Sequence, residues 1–263
     1  MEEQGDENMS YLLCFDIDGT IRDNVNHEVS ESTLKTLRLL KENGYKMIVS
    51  SGRGYDSLKR TNVCELIKWD GYVLNNGQLV LDGNEDVLFE AHLSEKTIKE
   101  TLKVADELNM CVAIKAQPRF LSKEPDEYVK TSVAYFNSVM PPVGKYTGQI
   151  ADAMITYGPI GYDYKPFFDI EGLEVLPGES TYADLTIGGI SKATGINVLL
   201  KLYGLDEYVA FGDSLNDVEM FKHASISIAM GQGNEKLKEM ATYVTASIDD
   251  DGIYKACLHY KFI

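Results

Sequence analysis

Two acids separated by a single residue, Asp16 and Asp18, follow the largely apolar run Tyr11-Leu-Leu-Cys-Phe15 and precede Gly19 and Thr20. Paired carboxylates before a turn-forming glycine suit a hard cation such as magnesium. They equally suit an acidic turn after a strand, and the pair alone leaves both readings open. Three later groups bear on the choice. Ser51-Gly52-Arg53 offers a hydroxyl, a backbone amide and a guanidinium, the donors a phosphate oxygen takes, although by itself it also reads as a loop into a helix. Lys192 follows Gly188-Gly189-Ile190-Ser191, and Gly212-Asp213-Ser214-Leu215-Asn216-Asp217 repeats the opening design of an apolar run ending in acids. Together these are the parts for phosphoryl transfer to a carboxylate. One aspartate attacks phosphorus while a metal screens the repulsion between two anions. A hydroxyl and a lysine hold the remaining oxygens, and a second carboxylic acid moves protons to the leaving group and from water.

Such groups meet only if similar elements deliver them to one edge. Residues 11–15 read as a strand buried on both faces. A helix over 32–43, with Leu34, Leu37 and Leu40 at helical spacing and Gly44 at its end, leads to a second strand over 45–50. Strand, helix and strand at this spacing form a parallel, right-handed unit. A helix over 56–67 and a strand over 71–74, ending at Asn75-Asn76-Gly77, extend it. Strands over 208–211, 225–230 and 243–245, with helices over 217–224 and 235–241, resume the pattern. The expected fold is α/β, a Rossmann-like doubly wound parallel sheet with an inserted α+β domain. The four chemical groups then lie at carboxyl ends of parallel strands, where open sheets of this kind place their ligands.

The insertion announces itself as a hairpin over 78–81 and 86–90, followed by mixed elements. The spacing predicts a helix over 94–109 with Ser94 as N-cap and Ile98, Leu102, Ala105 and Leu108 facing inward. A strand over 111–115 and a helix opened by Pro125, with Val129, Val133 and Phe136 inward, come next. Strands over 153–157, 167–170 and 173–176 complete it. The expected division is therefore a catalytic core over 10–81 and 185–263, and an inserted domain over 82–184. Residues 1–9, acidic and poor in apolar anchors, read as a disordered extension. Asp249-Asp250-Asp251 reads as a solvated helix cap.

The bulk properties narrow the class. A chain of 263 residues, 44% hydrophobic and 25% charged, is long enough for a sizeable core. A net charge of −16 argues against nucleic acid or an anionic membrane as partner, but not against a small anion met by local cations. The four cysteines are widely spaced and read as reduced thiols of a cytoplasmic protein without a signal peptide or membrane span. No heptad or interface stripe appears, so a monomer or weak homodimer is expected.

On these motifs the sequence resembles the haloacid dehalogenase superfamily of phosphohydrolases, and within it the Cof-type group with a large α/β cap. Asp16-Ile-Asp-Gly-Thr20, Ser51-Gly-Arg53, Lys192 and Gly212-Asp-Ser-Leu-Asn-Asp217 match its four motifs in order. The resemblance implies that Asp16 is the nucleophile and Asp18 the general acid/base. Magnesium would be held by Asp16, the Asp18 backbone carbonyl and Asp213. Ser51, Gly52, Arg53 and Lys192 would receive the phosphoryl group, and Asn216 would lie beside it. Asp217 would orient Lys192 or a metal-bound water, and Asn76-Gly77 would neighbour the substrate. Two departures stand out: Ala193 after the lysine, where the group has glycine, and Gly233-Asn234, where a Gly-Asn-Ala turn is common.

The implied reaction is hydrolysis of a small phosphorylated metabolite through an aspartyl-phosphate. The alternatives are a phosphotransferase or mutase on the same scaffold, and a non-catalytic sensor of a phospho-ligand. Asp18 disfavours a receiver-type sensor, which lacks the second acid. Arg119, Lys123, Lys115 and Tyr157 are candidates for substrate selection, and each also reads as a surface or packing residue.

Overall fold

A computed structural model of the protein describes residues 11–135, 138–178 and 180–263; the extension expected at 1–9 and the inward Phe136 lie outside the described residues. The chain divides into two units, one ending at Glu90 and resuming over Ile190–Ile263, the other spanning Ala91–Gly189.

The first unit is built on a sheet of eight strands. Its strands are β1 (Tyr11–Phe15), β2 (Lys46–Ser50), β3 (Gly71–Leu74), β4 (Leu79–Asp82) and β5 (Val87–Glu90), then, after the insertion, β11 (Glu207–Gly212), β12 (Ile226–Ala229) and β13 (Tyr243–Val244). The order is β13-β12-β11-β1-β2-β3-β4-β5. The six strands from β13 to β3 are parallel neighbours, while β4 and β5 run antiparallel at one edge. Counted in chain order, the parallel strands stand as 3-2-1-4-5-6, the doubly wound arrangement, and its switch point lies between β1 and β11. Their register pairs Phe15 with Phe211, whose rings stack with centroids 4.6 Å apart.

The uninterrupted apolar run in β1 has its cause in two separate cores. Leu13 and Phe15 pack on one face with residues of α1 (Glu31–Glu42) and of α8 (Gly252–His259). Leu12 and Cys14 pack on the other with α5 (Lys192–Tyr203) and α6 (Val218–His223). Both faces are covered, so neither alternate set is polar.

The second unit has an antiparallel sheet, β7-β6-β8-β10-β9. Its elements are α3 (Glu95–Glu107), β6 (Val112–Ala116), β7 (Phe120–Leu121), α4 (Glu127–Tyr135), β8 (Ala151–Tyr157), β9 (Leu173–Pro177) and β10 (Tyr182–Ile187). The two remaining helices among the described residues, α2 (Tyr55–Lys59) and α7 (Glu235–Met240), belong to the first unit.

Several expectations shift. Strand β5 pairs with β4 and so stays in the first sheet, beyond the boundary expected at 82. Leu185, read as the return of the parallel pattern, belongs to β10, which pairs antiparallel with β8 and β9. Its burial alternates over Tyr182-Ala183-Asp184-Leu185-Thr186, the signature of a strand covered mainly on one face. The helix expected over 56–67 stops at Lys59, because Asn62 turns left-handed before a short 3-10 turn over Val63–Glu65. The strand expected over 167–170 is instead a 3-10 turn, Lys165–Phe167, entered through a left-handed Tyr164 and holding Pro166 in its first turn. On α3, Ser94 caps as expected, but the buried stripe is Thr97, Ile98, Thr101 and Ala105, with Leu108 outside it. In Asp249-Asp250-Asp251, the Asp251 side chain makes no cap bond, and Asp250 pairs with Lys255.

Candidate active site

Asp16 extends the Leu12-Cys14 side of β1, the side on which α5 packs. Helix α5 begins at Lys192, capped by Ser191, whose hydroxyl accepts from the Thr194 amide. Lys192 was expected at the end of a parallel strand; it stands instead on the first turn of a helix entered from β10. Gly195 on α5 lies against Val73 of β3 and Gly77, and no side chain would fit there. That close approach delivers the Lys192 ammonium to the switch point, where it donates to Asp16 Oδ1 and Asp217 Oδ1, each at 2.6 Å. A cation at the amino end of a helix opposes the helix dipole. Two buried carboxylates outweigh that cost, which is characteristic of a residue kept for chemistry.

Asp217 is wholly buried and fully engaged. Its Oδ2 accepts from the Asp213 and Ser214 amides, both at 3.1 Å. Of the two roles the resemblance allowed, this geometry favours orienting Lys192. Asp213, at the end of β11, has an Oδ1 that is buried and lacks a hydrogen-bond partner. Asp16, Asp213 and Asp217 each offer a carboxylate oxygen, all within 4.8 Å of one another. Burial, opposed by Lys192 and reinforced by the charges of Asp217 and Asp213, pushes the Asp16 carboxyl up to about 8. Burial and the Asp217 charge push Asp213 up to about 7. Three acids around one ammonium leave an excess of negative charge, and Asp213 carries a buried oxygen without a hydrogen-bond partner. The donor set is all oxygen. It fits a hard divalent cation.

Asp18 occupies a different setting. Gly19 takes a left-handed conformation (φ +80°), and a side chain there would collide with Asp213 Oδ2. The turn closes through Gly19 N to Arg22 O at 2.7 Å, while Ile17 O accepts from the amides of Thr20, Ile21 and Arg22. The Asp18 carboxylate receives a two-pronged contact from Arg53, Nε at 2.5 Å and Nη2 at 2.9 Å, and a weaker one from Arg22 Nη1 at 3.3 Å. Burial alone would raise this carboxyl, but the Arg53 hydrogen bonds and the charges of Arg53 and Arg22 outweigh it and hold it below its ordinary value.

The remaining expected residues gather close by. Buried Ser51 accepts through Oγ from the Arg53 amide at 3.2 Å. The open Cα of Gly52 faces the side-chain amides of Asn76 and Asn216. Asn76 is left-handed (φ 55°), and its Oδ1 is buried without a partner. Gly77, also at positive φ, lies against the Ser191 carbonyl, where a Cβ has no room. Asn216 Oδ1 accepts from Ser214 Oγ at 2.6 Å. The structure thus brings all eleven expected site residues into one neighbourhood of the first unit. Arg22, Ser57 and Gln232 were missed. Arg22 carried a usable signal, standing four residues after Asp18 across a glycine turn. Ser57, which accepts from Arg53 Nη1 at 2.9 Å, and Gln232 carried none. In the second unit, Lys115 pairs with Asp184, Lys123 pairs with Asp106, and Tyr157 is buried.

Comparison with known proteins agrees with this geometry. The chain is 29% identical to a putative phosphatase, YkrA, of Bacillus subtilis over 249 residues, 93% of this chain and 95% of that one. It is 26% identical to a putative bifunctional phosphatase/peptidyl-prolyl cis-trans isomerase of Streptococcus pyogenes, of whose length it spans only 56%. Among solved structures, the haloalkanoate superfamily phosphatase BT1666 of Bacteroides thetaiotaomicron superposes with a TM-score of 0.90 at 25% identity, covering 100% and 99% of the two chains. The subclass IIB sugar phosphatase BT4131 gives 0.77 at 28% identity, covering 96% and 100%. The family described as haloacid dehalogenase-like hydrolase matches residues 13–257, and the chain belongs to that family.

Proposed function

We propose that the protein is a magnesium-dependent phosphatase of small phosphate monoesters, sugar phosphates or similar metabolites, working through a phosphorylated Asp16. The observation that carries this reading is the dry cluster at the β1/β11 switch point. There one ammonium bridges Asp16 and Asp217 beside an unpartnered Asp213 oxygen.

In this reading Lys192 holds Asp16 by Oδ1, leaving Oδ2 outside that contact to attack phosphorus. A bond forms between the carboxylate and phosphorus as the bond to the leaving oxygen breaks, and Asp18 supplies the proton that oxygen needs. Water then attacks the same phosphorus. Asp18 takes the water's proton, inorganic phosphate departs and the Asp16 carboxylate is restored. Ser51, the Gly52 amide and Lys192 would hold the equatorial oxygens. Asp18 rests ionised in the Arg53 fork, so before it can donate, the fork must loosen and the partly exposed carboxylate must take up a proton from solvent. A phosphoryl oxygen competing for Arg53 accomplishes the loosening. Asp16, Asp213 and the Asp18 backbone carbonyl would hold the metal. Bound there, it would screen the repulsion between a carboxylate and a phosphate dianion. The inserted unit is assigned the selection of the substrate's remaining part, in line with the sugar phosphatase among the relatives.

The test is phosphate release from 4-nitrophenyl phosphate and a panel of sugar phosphates, with magnesium and after EDTA treatment, for the natural protein and Asp16→Asn. Turnover that needs the metal and Asp16 supports the reading. Turnover by Asp16→Asn at the natural rate, or full activity after metal removal, overturns it. Phosphate retained on an added sugar instead of released would reassign the protein as a phosphotransferase.

A further inference from the structure

The loop after β12, Met230-Gly-Gln-Gly-Asn234, reaches both acid-bearing turns. The Asn234 amide donates to Asp213 O at 2.7 Å, and a side chain at Gly233 would press on that same carbonyl. On the other side, Gln232 Nε2 donates to Gly19 O at 2.6 Å. Its Oε1 accepts from the Ile248 amide at 2.9 Å. The two partners settle the orientation of the side-chain amide, since a carbonyl can only accept and a backbone amide can only donate. The loop itself is anchored at Gly231 N to Ala246 O and at Gly233 N to Met230 O.

We infer that Gln232 is a positioning residue for the Asp18 turn. It acts as a strut, fixing the Gly19 carbonyl relative to the Ile248 backbone and to Asp213. The Asp18 carboxylate is already gripped by Arg53 and Arg22, but those grips fix its end and not the backbone from which it projects. Inside the turn, Ile17 O satisfies the amides, whereas Gly19 O points outward and is held by Gln232. Because Gly19 leaves no space beside Asp213, a small shift of that carbonyl moves the Asp18 side chain relative to the Asp213 cluster. Displacements of this size change rates well before they change folds.

The inference rests on the proposed role of Asp18, so its test has two independent readouts. The variants are Gln232→Glu, which keeps the length and the Ile248 acceptor but sets an oxygen against the Gly19 carbonyl, and Gln232→Met, which removes both polar contacts at similar size. Hydrogen exchange over residues 17–22 reports the strut whatever the reaction: faster exchange in both variants, with the rest of the first unit unchanged, is expected. Unchanged exchange overturns the strut, and loss of protection throughout the unit overturns a local role. Kinetics report the consequence. A leaving group that needs a proton, as in a sugar phosphate, should lose roughly tenfold in kcat with KM little changed, while 4-nitrophenyl phosphate loses less than about threefold. Equal losses on both substrates overturn the link to Asp18. If the natural protein hydrolyses neither substrate while the exchange result holds, the proposed function fails and the strut stands.

Discussion

Asp16 and Asp18 lie two residues apart on one loop, yet they sit in opposite surroundings. The Asp16 side chain is 5% exposed and shares a wholly buried ammonium with a second carboxylate. That of Asp18 is 34% exposed and held by two guanidinium groups at the rim. The first environment raises a carboxyl and the second lowers it. A pair that looks symmetrical in sequence is thereby split into a buried group and a group near water, which the proposed mechanism uses for bond formation and proton movement respectively. Environment, more than residue type, assigns the work.

The comparison breaks most visibly at its dry end. Asp16→Asn should lower kcat by roughly 10⁴-fold or more, since residues that act as a unit fail together, with little change in melting temperature. If Asp16→Asn and Asp18→Asn gave the same losses on aryl and sugar phosphates alike, the division between the two would collapse. Lys192→Met strands the acids in a buried site, and at pH 8 urea unfolding should show a loss of about 3 kcal/mol. At pH 5.5 the loss should shrink, because the stranded carboxyls can take up protons. The natural protein stripped of metal carries a weaker form of this effect. Asp16 at about 8 and Asp213 at about 7 both lie above the ordinary 3.8. The folded state therefore binds more protons than the unfolded one, so the associated stability is complete below about pH 4 and is lost as pH rises through 7 and 8. Its melting temperature should fall from pH 5.5 to 8.5, and magnesium should flatten that slope; a flat profile without metal would show that Lys192 already neutralises the cluster. The rim should respond least. Arg22→Ala removes a long contact to Asp18 and an exposed hydrogen bond to the His27 carbonyl, and should alter stability by about 1 kcal/mol, measured by the same unfolding.

How much of this was legible beforehand follows from what each feature depends on. The parallel strands were readable because burial on both faces leaves continuous apolar runs, as in Leu12 to Phe15. The acids were readable because their spacing is local. Boundaries that depend on sheet membership were not: the hairpin of Leu79–Asp82 with Val87–Glu90 was readable, but nothing in it says that β4 pairs with β3 and so keeps both strands in the first sheet, and Leu185 looks alike at the end of either sheet. The Lys165–Phe167 turn was hidden because the phenylalanines suggested a strand, while a left-handed Tyr164 decided the backbone. The partners of Asp18 divide in the same way. Arg22 is within reach in sequence, whereas Gln232 meets Gly19 across 213 positions. No local pattern could announce it.

That remoteness has a consequence for how the molecule forms. Strand β1 is central, yet its neighbour β11 is made only after the whole insertion, and Lys192 meets Asp16 across 176 positions. During synthesis β1, β2 and β3 can associate early, leaving the other edge of β1 open. An unpaired apolar edge is a template for unwanted association, and pairings this distant in sequence close slowly. Refolding should therefore pass through a stage with the first three strands formed and the acid cluster still apart, and losses to aggregation should be greatest there. The arrangement that places Asp16 beside Asp213 also makes the active cluster among the last parts of the first unit to assemble.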